Sequence, residues 1–201
     1  MRGRGVALRT VLGLGNPGPE YAETRHNAGW WLVDHLVARW QFPGWRRERL
    51  YRISEGSYHR RAVRLVKPLT YMNRSGAALA PLRASAPFDV ATELLVVVDE
   101  VAIPAGTLRL RAGGSAGGHN GLKDLEAALG TREYPRLRIG VGPAPAGVGG
   151  GLSEFVLEPP DTTDRAAIAA LLDPMAEAVE CWITDGIETA MNRYNRRTSE
   201  P

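Results

Sequence analysis

Five consecutive apolar residues, Leu94-Leu-Val-Val-Val98, stop at Asp99. Side chains along a strand alternate between its two faces, so an unbroken apolar run has to be buried above and below, inside a sheet covered on both sides. Further Val-, Leu- and Ile-rich runs lie at Val6 to Leu14, Ala62 to Val66, Thr107 to Leu110 and Leu137 to Val141. Each is stopped by turn-forming or polar residues and reads as a strand. Helical spacing predicts helices over Gly29 to Trp40, Ser75 to Arg83 and Gly121 to Leu129, the last closed by Gly130 as a left-handed cap. After Pro159-Pro160, a polar start at Thr162, Thr163 and Asp164 opens an apolar-periodic stretch to about Tyr194, in which Pro174 is expected to separate two helices. Strands alternating with helices predict an α/β fold with helices on both faces of the sheet.

At 201 residues and 44% hydrophobic content, the chain can bury one sizeable core, and one domain over 1–201 is expected. Its first twenty residues are interrupted by Arg9 and followed by Gly, Pro and Glu, which fits neither a secretory signal nor a membrane span. The expected location is the cytoplasm, with no membrane partner. The single cysteine, Cys181, excludes an intrachain disulfide and a cysteine-based metal cluster. A formal charge of +3 is too small to name a nucleic-acid partner by itself. The 23 arginines nonetheless cluster, at Arg46, Arg47, Arg49 and Arg52; at Arg60, Arg61 and Arg64; at Arg109 and Arg111; at Arg132, Arg136 and Arg138; and at Arg193, Arg196 and Arg197. Read singly, each cluster is a solvated face.

The run Gly13-Leu-Gly-Asn-Pro-Gly18 fits the G-x-G-x-x-G pattern of dinucleotide-binding loops. That chemistry needs the third glycine to lead directly into a helix whose free N–H groups meet the pyrophosphate. Here Pro17 removes a backbone donor, Pro19 follows, and helical spacing resumes only at Gly29, so no dinucleotide cofactor is expected. What recurs instead is an asparagine placed among glycines or helix starts just after an apolar run: Asn16, Asn73 and Asn120. Each could serve as a turn former or helix cap. Together with Asp99 they lie at strand ends, where an open α/β sheet gathers its ligands. His26, in Thr24-Arg25-His26-Asn27-Ala28-Gly29, adds a group that can exchange protons, and Asp99 could orient it.

A histidine paired with an aspartate suggests a nucleophilic triad, but Ser115, in Gly113-Gly-Ser-Ala-Gly-Gly118, lies among flexible glycines without the fixed strand-to-helix turn that aims a nucleophile. His26, His35, His59 and His119 show no metal-ligand spacing, and no metal is expected. The remaining chemistry is water activated by His26, with neutral carboxamides holding a neutral, peptide-like substrate.

These residues carry a resemblance. Gly13-Leu-Gly-Asn-Pro-Gly-x-x-Tyr-x-x-Thr-Arg-His-Asn-Ala-Gly29, Lys67-Pro-x-Thr-Tyr-Met-Asn-x-Ser-Gly76, Val98-Asp-Glu100 and Gly117-Gly-His-Asn-Gly-Leu-Lys-Asp124 resemble the bacterial peptidyl-tRNA hydrolase family. The resemblance spans most of the chain, in the family's order. It implies a single α/β domain around a twisted mixed sheet, with residues 162–194 as a C-terminal lid or packing element, and a monomer that needs no cofactor. It implies hydrolysis of the ester joining a peptide to the 3′ ribose of tRNA, with His26 as general base, Asp99 orienting it, and Asn16 separating blocked from free aminoacyl esters. Asn73 and Asn120 would bind substrate and position the water. Tyr21 and Tyr71 would meet the tRNA 3′ end, Met72, Gly117 and His119 would line the cleft, and Arg109, Arg111 and Arg138 would meet acceptor-stem phosphates. The segment Gly142 to Gly151, a predicted flexible loop, lacks a basic residue common in the family. A non-catalytic alternative is an RNA-binding protein of the same fold, similar to plant organelle splicing factors.

Overall fold

The structure, a computed structural model, describes residues 8–144 and 151–195. Seven strands form one mixed sheet in the order β2-β3-β4-β1-β5-β7-β6. They are β1 (Arg9–Gly13), β2 (Arg46–Arg47), β3 (Tyr51–Tyr58), β4 (Arg61–Pro68), β5 (Leu94–Pro104), β6 (Leu108–Arg111) and β7 (Arg136–Gly142). The central strands β4, β1, β5 and β7 run parallel, and the outer strands β3, β2 and β6 pair antiparallel.

The apolar run that opens β5 is buried on both faces, and its side chains divide between two cores. Leu95 and Val97 pack with helix α1 (Ala28–Arg39) and the C-terminal helices α6 (Leu172–Asp185) and α7 (Ile187–Tyr194). Leu94, Val96 and Val98 pack with α2 (Leu79–Ser85) and α3 (Asn120–Leu129). The α/β class, the single mixed sheet and helices on both faces agree with the expectation. No helix among the described residues is long and apolar enough to cross a membrane.

Several elements differ from the sequence reading, each for a local reason. The antiparallel pair β2–β3 escaped it because Tyr51–Tyr58 (YRISEGSY) interleaves Arg, Ser, Glu and Gly with only a few apolar residues, as a strand near a sheet edge can. The segment expected as one helix from Ser75 begins as a 3-10 stretch, Met72–Ala78, in which Arg74 leaves helical angles, and turns α-helical only at Leu79. At the C-terminus three helices replace the expected two. The first, α5 (Thr162–Ala170), ends at Leu171, the second break is at Gly186, and Pro174 sits in the first turn of α6, where its missing N–H costs nothing. Of the predicted flexible loop, residues 145–150 lie outside the described residues, and Gly151 already opens a short helix, α4 (Gly151–Val156). Arg196, Arg197 and the first two residues of the predicted strand at Val6 also lie outside them.

Two arginines read as solvated are core residues. Arg64 is 1% exposed and donates to Thr10 Oγ1, Leu82 O and Ala86 O, and Arg136 is 0% exposed and donates to Ser115 O and Arg132 O. Backbone carbonyls, and for Arg64 the Thr10 hydroxyl, take the place of water around each guanidinium, so its burial leaves few donors unpaired.

Candidate active site

The cleft forms where β5 outruns β1. Pairing between the two ends at Gly13↔Val97, while β5 continues beside β7 through Glu100, and it reaches Pro104 rather than stopping at Asp99. Asp99 therefore sits past the last β1 partner and shares the face of Leu95 and Val97, the face that α1 covers. Here the chain also changes direction across the sheet: β4 lies on one side of β1 and β5 on the other. Such a switch point opens a crevice beyond the carboxyl ends of the strands.

The glycines of the first motif serve packing at this point rather than a pyrophosphate. A Cβ on Gly29 would lie 2.6 Å from Leu14 O and 2.6 Å from Val97 O, and one on Gly13 would lie 2.5 Å from Gly29 O. Only two bare backbones can approach so closely, and their approach drives the start of α1 into the split between β1 and β5. The 3-10 turn Arg25–Asn27 directly precedes α1, so His26 is delivered beside Asp99.

His26 Nδ1 lies 2.9 Å from Asp99 Oδ1 and 3.0 Å from Oδ2. His119 Nε2 lies 3.0 Å from the same Oδ1. An ionised carboxylate only accepts, so both ring nitrogens donate to it, and His26 is left with Nε2 unprotonated. The tautomer of His119 is held independently, because its Nδ1 accepts the backbone N–H of Gly121 at 3.1 Å and of Leu122 at 3.3 Å. Burial alone would push the Asp99 carboxyl up. The attraction of the His26 and His119 rings and the hydrogen bonds they donate outweigh burial and hold it well below the usual carboxylate range.

His26, Asp99 and His119 bring ligand-type atoms within 4.8 Å of one another, close enough for a metal ion. The hydrogen bonds argue for another use. With His119 Nδ1 accepting two backbone N–H groups, its ring proton resides on Nε2, and a protonated nitrogen has no lone pair for a cation. The trio is built as a hydrogen-bonded row.

Asn16 is 5% exposed and completely oriented. Asn27 grips its backbone from both sides: Asn27 Oδ1 accepts the Asn16 N–H at 2.8 Å, and Asn27 Nδ2 donates to Asn16 O at 3.0 Å. The Asn16 side chain uses Oδ1 to accept the Met72 N–H at 2.7 Å, so its NH2 group is the end offered to the cleft. Asn73 and Asn120 were open to a capping explanation. The structure removes it, since His119 caps α3, Asn120 is the first helical residue, and Asn73 lies inside the 3-10 stretch without a cap bond.

The cleft has a volume of about 730 Å³. The loop after β1 lends it Asn16, Tyr21 and His26, the loop after β4 lends Tyr71, Met72 and Asn73, β5 lends Asp99, and the approach to α3 lends Gly117, His119 and Asn120. The rings of Tyr21 and Tyr71 meet edge to face with centroids 6.3 Å apart, and Tyr71 is 56% exposed. The three arginines do not line this cleft. Arg109 and Arg111 project as exposed residues from β6, and Arg138 bonds to Glu100 and donates to Ser115 O at 2.8 Å. Sequence reasoning missed Asn27, whose place in the Thr-Arg-His-Asn motif was the available signal. It also missed the apolar wall of Val101, Leu152, Val156 and Leu157, to which α4 contributes. None of these apolar residues has a chemical signature that a sequence alone reveals.

Comparison with known proteins gives the family and the fold. The family model for peptidyl-tRNA hydrolase matches residues 10–201. The peptidyl-tRNA hydrolase of Gemmatimonas aurantiaca is 45% identical over 190 residues, covering 94% of this chain and 100% of that protein. That of Symbiobacterium thermophilum is 49% identical, covering 93% of this chain and 98% of that protein. Among solved structures, peptidyl-tRNA hydrolase from Acinetobacter baumannii superposes with a TM-score of 0.85 at 34% identity, covering 94% of each chain. With a match over nearly its whole length, this chain belongs to the peptidyl-tRNA hydrolase family.

Proposed function

We propose that His26 is the general base with which this hydrolase cleaves the ester between peptide and tRNA. The carrying observation is the pair His26 Nδ1 to Asp99 at 2.9 Å, which leaves Nε2 as a proton acceptor in the cleft. Nε2 takes a proton from water as the water oxygen attacks the ester carbonyl carbon. Asp99 stabilises the imidazolium that forms, and the proton passes to the departing 3′ oxygen of the ribose when the acyl–oxygen bond breaks. No covalent enzyme intermediate is needed. The non-catalytic RNA-binding alternative is not favoured, because every group of this proton path is present.

Asn16 discriminates blocked from free esters. Its NH2 end can donate to the amide carbonyl that a peptide supplies next to the ester, whereas a free aminoacyl ester presents an ammonium group, itself a donor. Asn73 and Asn120 hold substrate and water, with Met72, Gly117 and His119 as the cleft surface around them. The edge-to-face tyrosines receive the terminal base or ribose of the tRNA.

Arg109 lies opposite Arg138, and Arg111 opposite Arg136, across β6 and β7. Of these four, Arg136 is buried and Arg138 is held by Glu100, so the exposed Arg109 and Arg111 are the guanidinium groups that acceptor-stem phosphates would meet. The acting unit is a monomer, a reading supported by the described residues of one chain lining the cleft, and its place of work is the cytoplasm, where a tRNA substrate is found. Residues 162–194 serve as a packing element; they line none of the cleft, and α6 buries Met175, Val179, Trp182 and Ile183 against the sheet.

The test compares hydrolysis of N-acetyl-aminoacyl-tRNA with that of free aminoacyl-tRNA. Rapid release from the acetylated ester alone supports the reading. Equal rates on both, or hydrolysis of neither, would overturn it.

A further inference from the structure

We propose that Asp124 is a positioning residue for this reaction: it holds Asn73 in register with Asn120 through the backbone of Gly76. The inference rests on the role proposed above for Asn73. The two carboxamides stand on different elements, Asn73 in the 3-10 stretch Met72–Ala78 and Asn120 at the start of α3, and among the described residues no hydrogen bond joins them. Something else must set their separation, and to hold a water between them it must do so to a fraction of an ångström.

The 3-10 stretch cannot do it alone. Arg74, next to Asn73, has φ −133° and ψ 22°, which interrupts the local helical ladder and leaves the segment dependent on outside anchors. There are two. At Met72 the backbone N–H donates to Asn16 Oδ1 at 2.7 Å, and at Gly76 the backbone N–H donates to Asp124 Oδ2 at 2.6 Å. Asn73 is bracketed between them. Asp124 lies about one helical turn beyond Asn120, so the Gly76 bond ties one asparagine's element directly to the other's.

Packing adds a second observation. A Cβ on Gly76 would lie 2.7 Å from Asp124 O and 2.7 Å from Ala128 Cβ. Glycine at this position is what lets the 3-10 stretch lie against α3 closely enough for the bond. Asp124 itself is not part of the cleft wall, so its effect on catalysis has to pass through Asn73.

The experiment measures kcat and KM on N-acetyl-aminoacyl-tRNA for Asp124→Ala and Asp124→Asn, each in the wild-type and the Asn73→Ala background, with Tm recorded alongside. Asp124→Ser, polar but too short to reach Gly76, is read in the same way as Asp124→Ala and replaces it if the alanine variant does not fold. Asp124→Ala should lower kcat/KM by about 10- to 100-fold, as expected for a misplaced group near the reacting atoms. Asp124→Asn, whose amide oxygen can still accept the Gly76 N–H, should restore most of it. In the Asn73→Ala background, Asp124→Ala should cause little further loss, because the residue it acts through is gone. An equal fold loss in both backgrounds, or wild-type kcat/KM in Asp124→Ala beside an impaired Asn73→Ala, would overturn this inference alone. Wild-type activity in Asn73→Ala would overturn the proposed role of Asn73 and this inference with it.

Discussion

At Asp99 one carboxylate serves two imidazoles, and its burial makes that service strong. Replacing it with asparagine substitutes a donor for one acceptor, and an Asn Nδ2–H facing His26 Nδ1 would move the ring proton to Nε2. The base would then carry its proton on the wrong nitrogen, and Asp99→Asn should lose about 10²- to 10⁴-fold in kcat. Stability carries a signature of its own. Because the folded carboxyl titrates below its unfolded value, its contribution is fully present above the unfolded carboxyl pKa of about 4 and is lost as pH falls further. Asp99→Asn should therefore be less stable than wild type at neutral pH, and the gap should narrow as pH drops below about 4 in denaturant titrations. A gap independent of pH would mean that the charge of Asp99 does not stabilise the fold. At Asn16 the prediction concerns selectivity: Asn16→Asp removes the cleft-facing donors and adds a charge that attracts an ammonium. The ratio of acetylated to free aminoacyl-tRNA hydrolysis should fall, and an unchanged ratio would return Asn16 to a turn former.

Among the elements, the junction of β1 with α1 decides where His26 stands. Gly29→Ala adds a methyl where two carbonyl oxygens already lie 2.6 Å away. Such overpacking costs about 1–3 kcal/mol, with Tm falling roughly 2–4 °C for each kcal/mol in a chain of this size. Activity should fall beyond the stability loss, because the turn holding His26 shifts with the helix. A Tm within a degree of wild type would show that the junction yields more readily than the contacts imply. How much was legible follows the same local logic. Leu94 to Val98 declared itself because a strand buried on both faces needs uninterrupted apolar residues, and α3 did so through its spacing and the αL glycine at Gly130. The strand Tyr51–Tyr58 did not, because it interleaves polar residues and Gly56, as a strand near a sheet edge can. Capping was one explanation open for Asn120, because asparagine is a common cap, and the structure gives the cap of α3 to His119, which caps and bonds Asp99 at once. Buried Arg64 and Arg136 were illegible for a different reason: most of their hydrogen-bond partners are backbone carbonyls, which no side-chain pattern announces.

For the molecule as a whole, the sheet's switch point gathers groups distant in sequence, and the basic residues of β6 lie outside that cleft. This separation predicts a division of labour. Arg109→Glu with Arg111→Glu should weaken tRNA binding and reduce the slope of log K against log salt by about 2, while leaving hydrolysis of a short acylated 3′-terminal fragment unchanged. An unaltered slope would make those arginines a solvated face. That Asn16, His26, Asn73, Asp99 and Asn120 gather at one cleft was legible because polar residues follow apolar runs there, although β5 continues past Asp99. The cleft's walls at Val101, Leu152 and Leu157 were not, since apolar residues look alike whether they fill a core or face a cleft. The central claim is that His26 supplies the proton transfer and little of the binding. The most direct measurement is single-turnover hydrolysis of saturating N-acetyl-aminoacyl-tRNA by His26→Ala, with tRNA affinity measured on the same protein. The account predicts a rate lower by about 10² to 10⁴ at nearly unchanged affinity, and a rate close to wild type would contradict it.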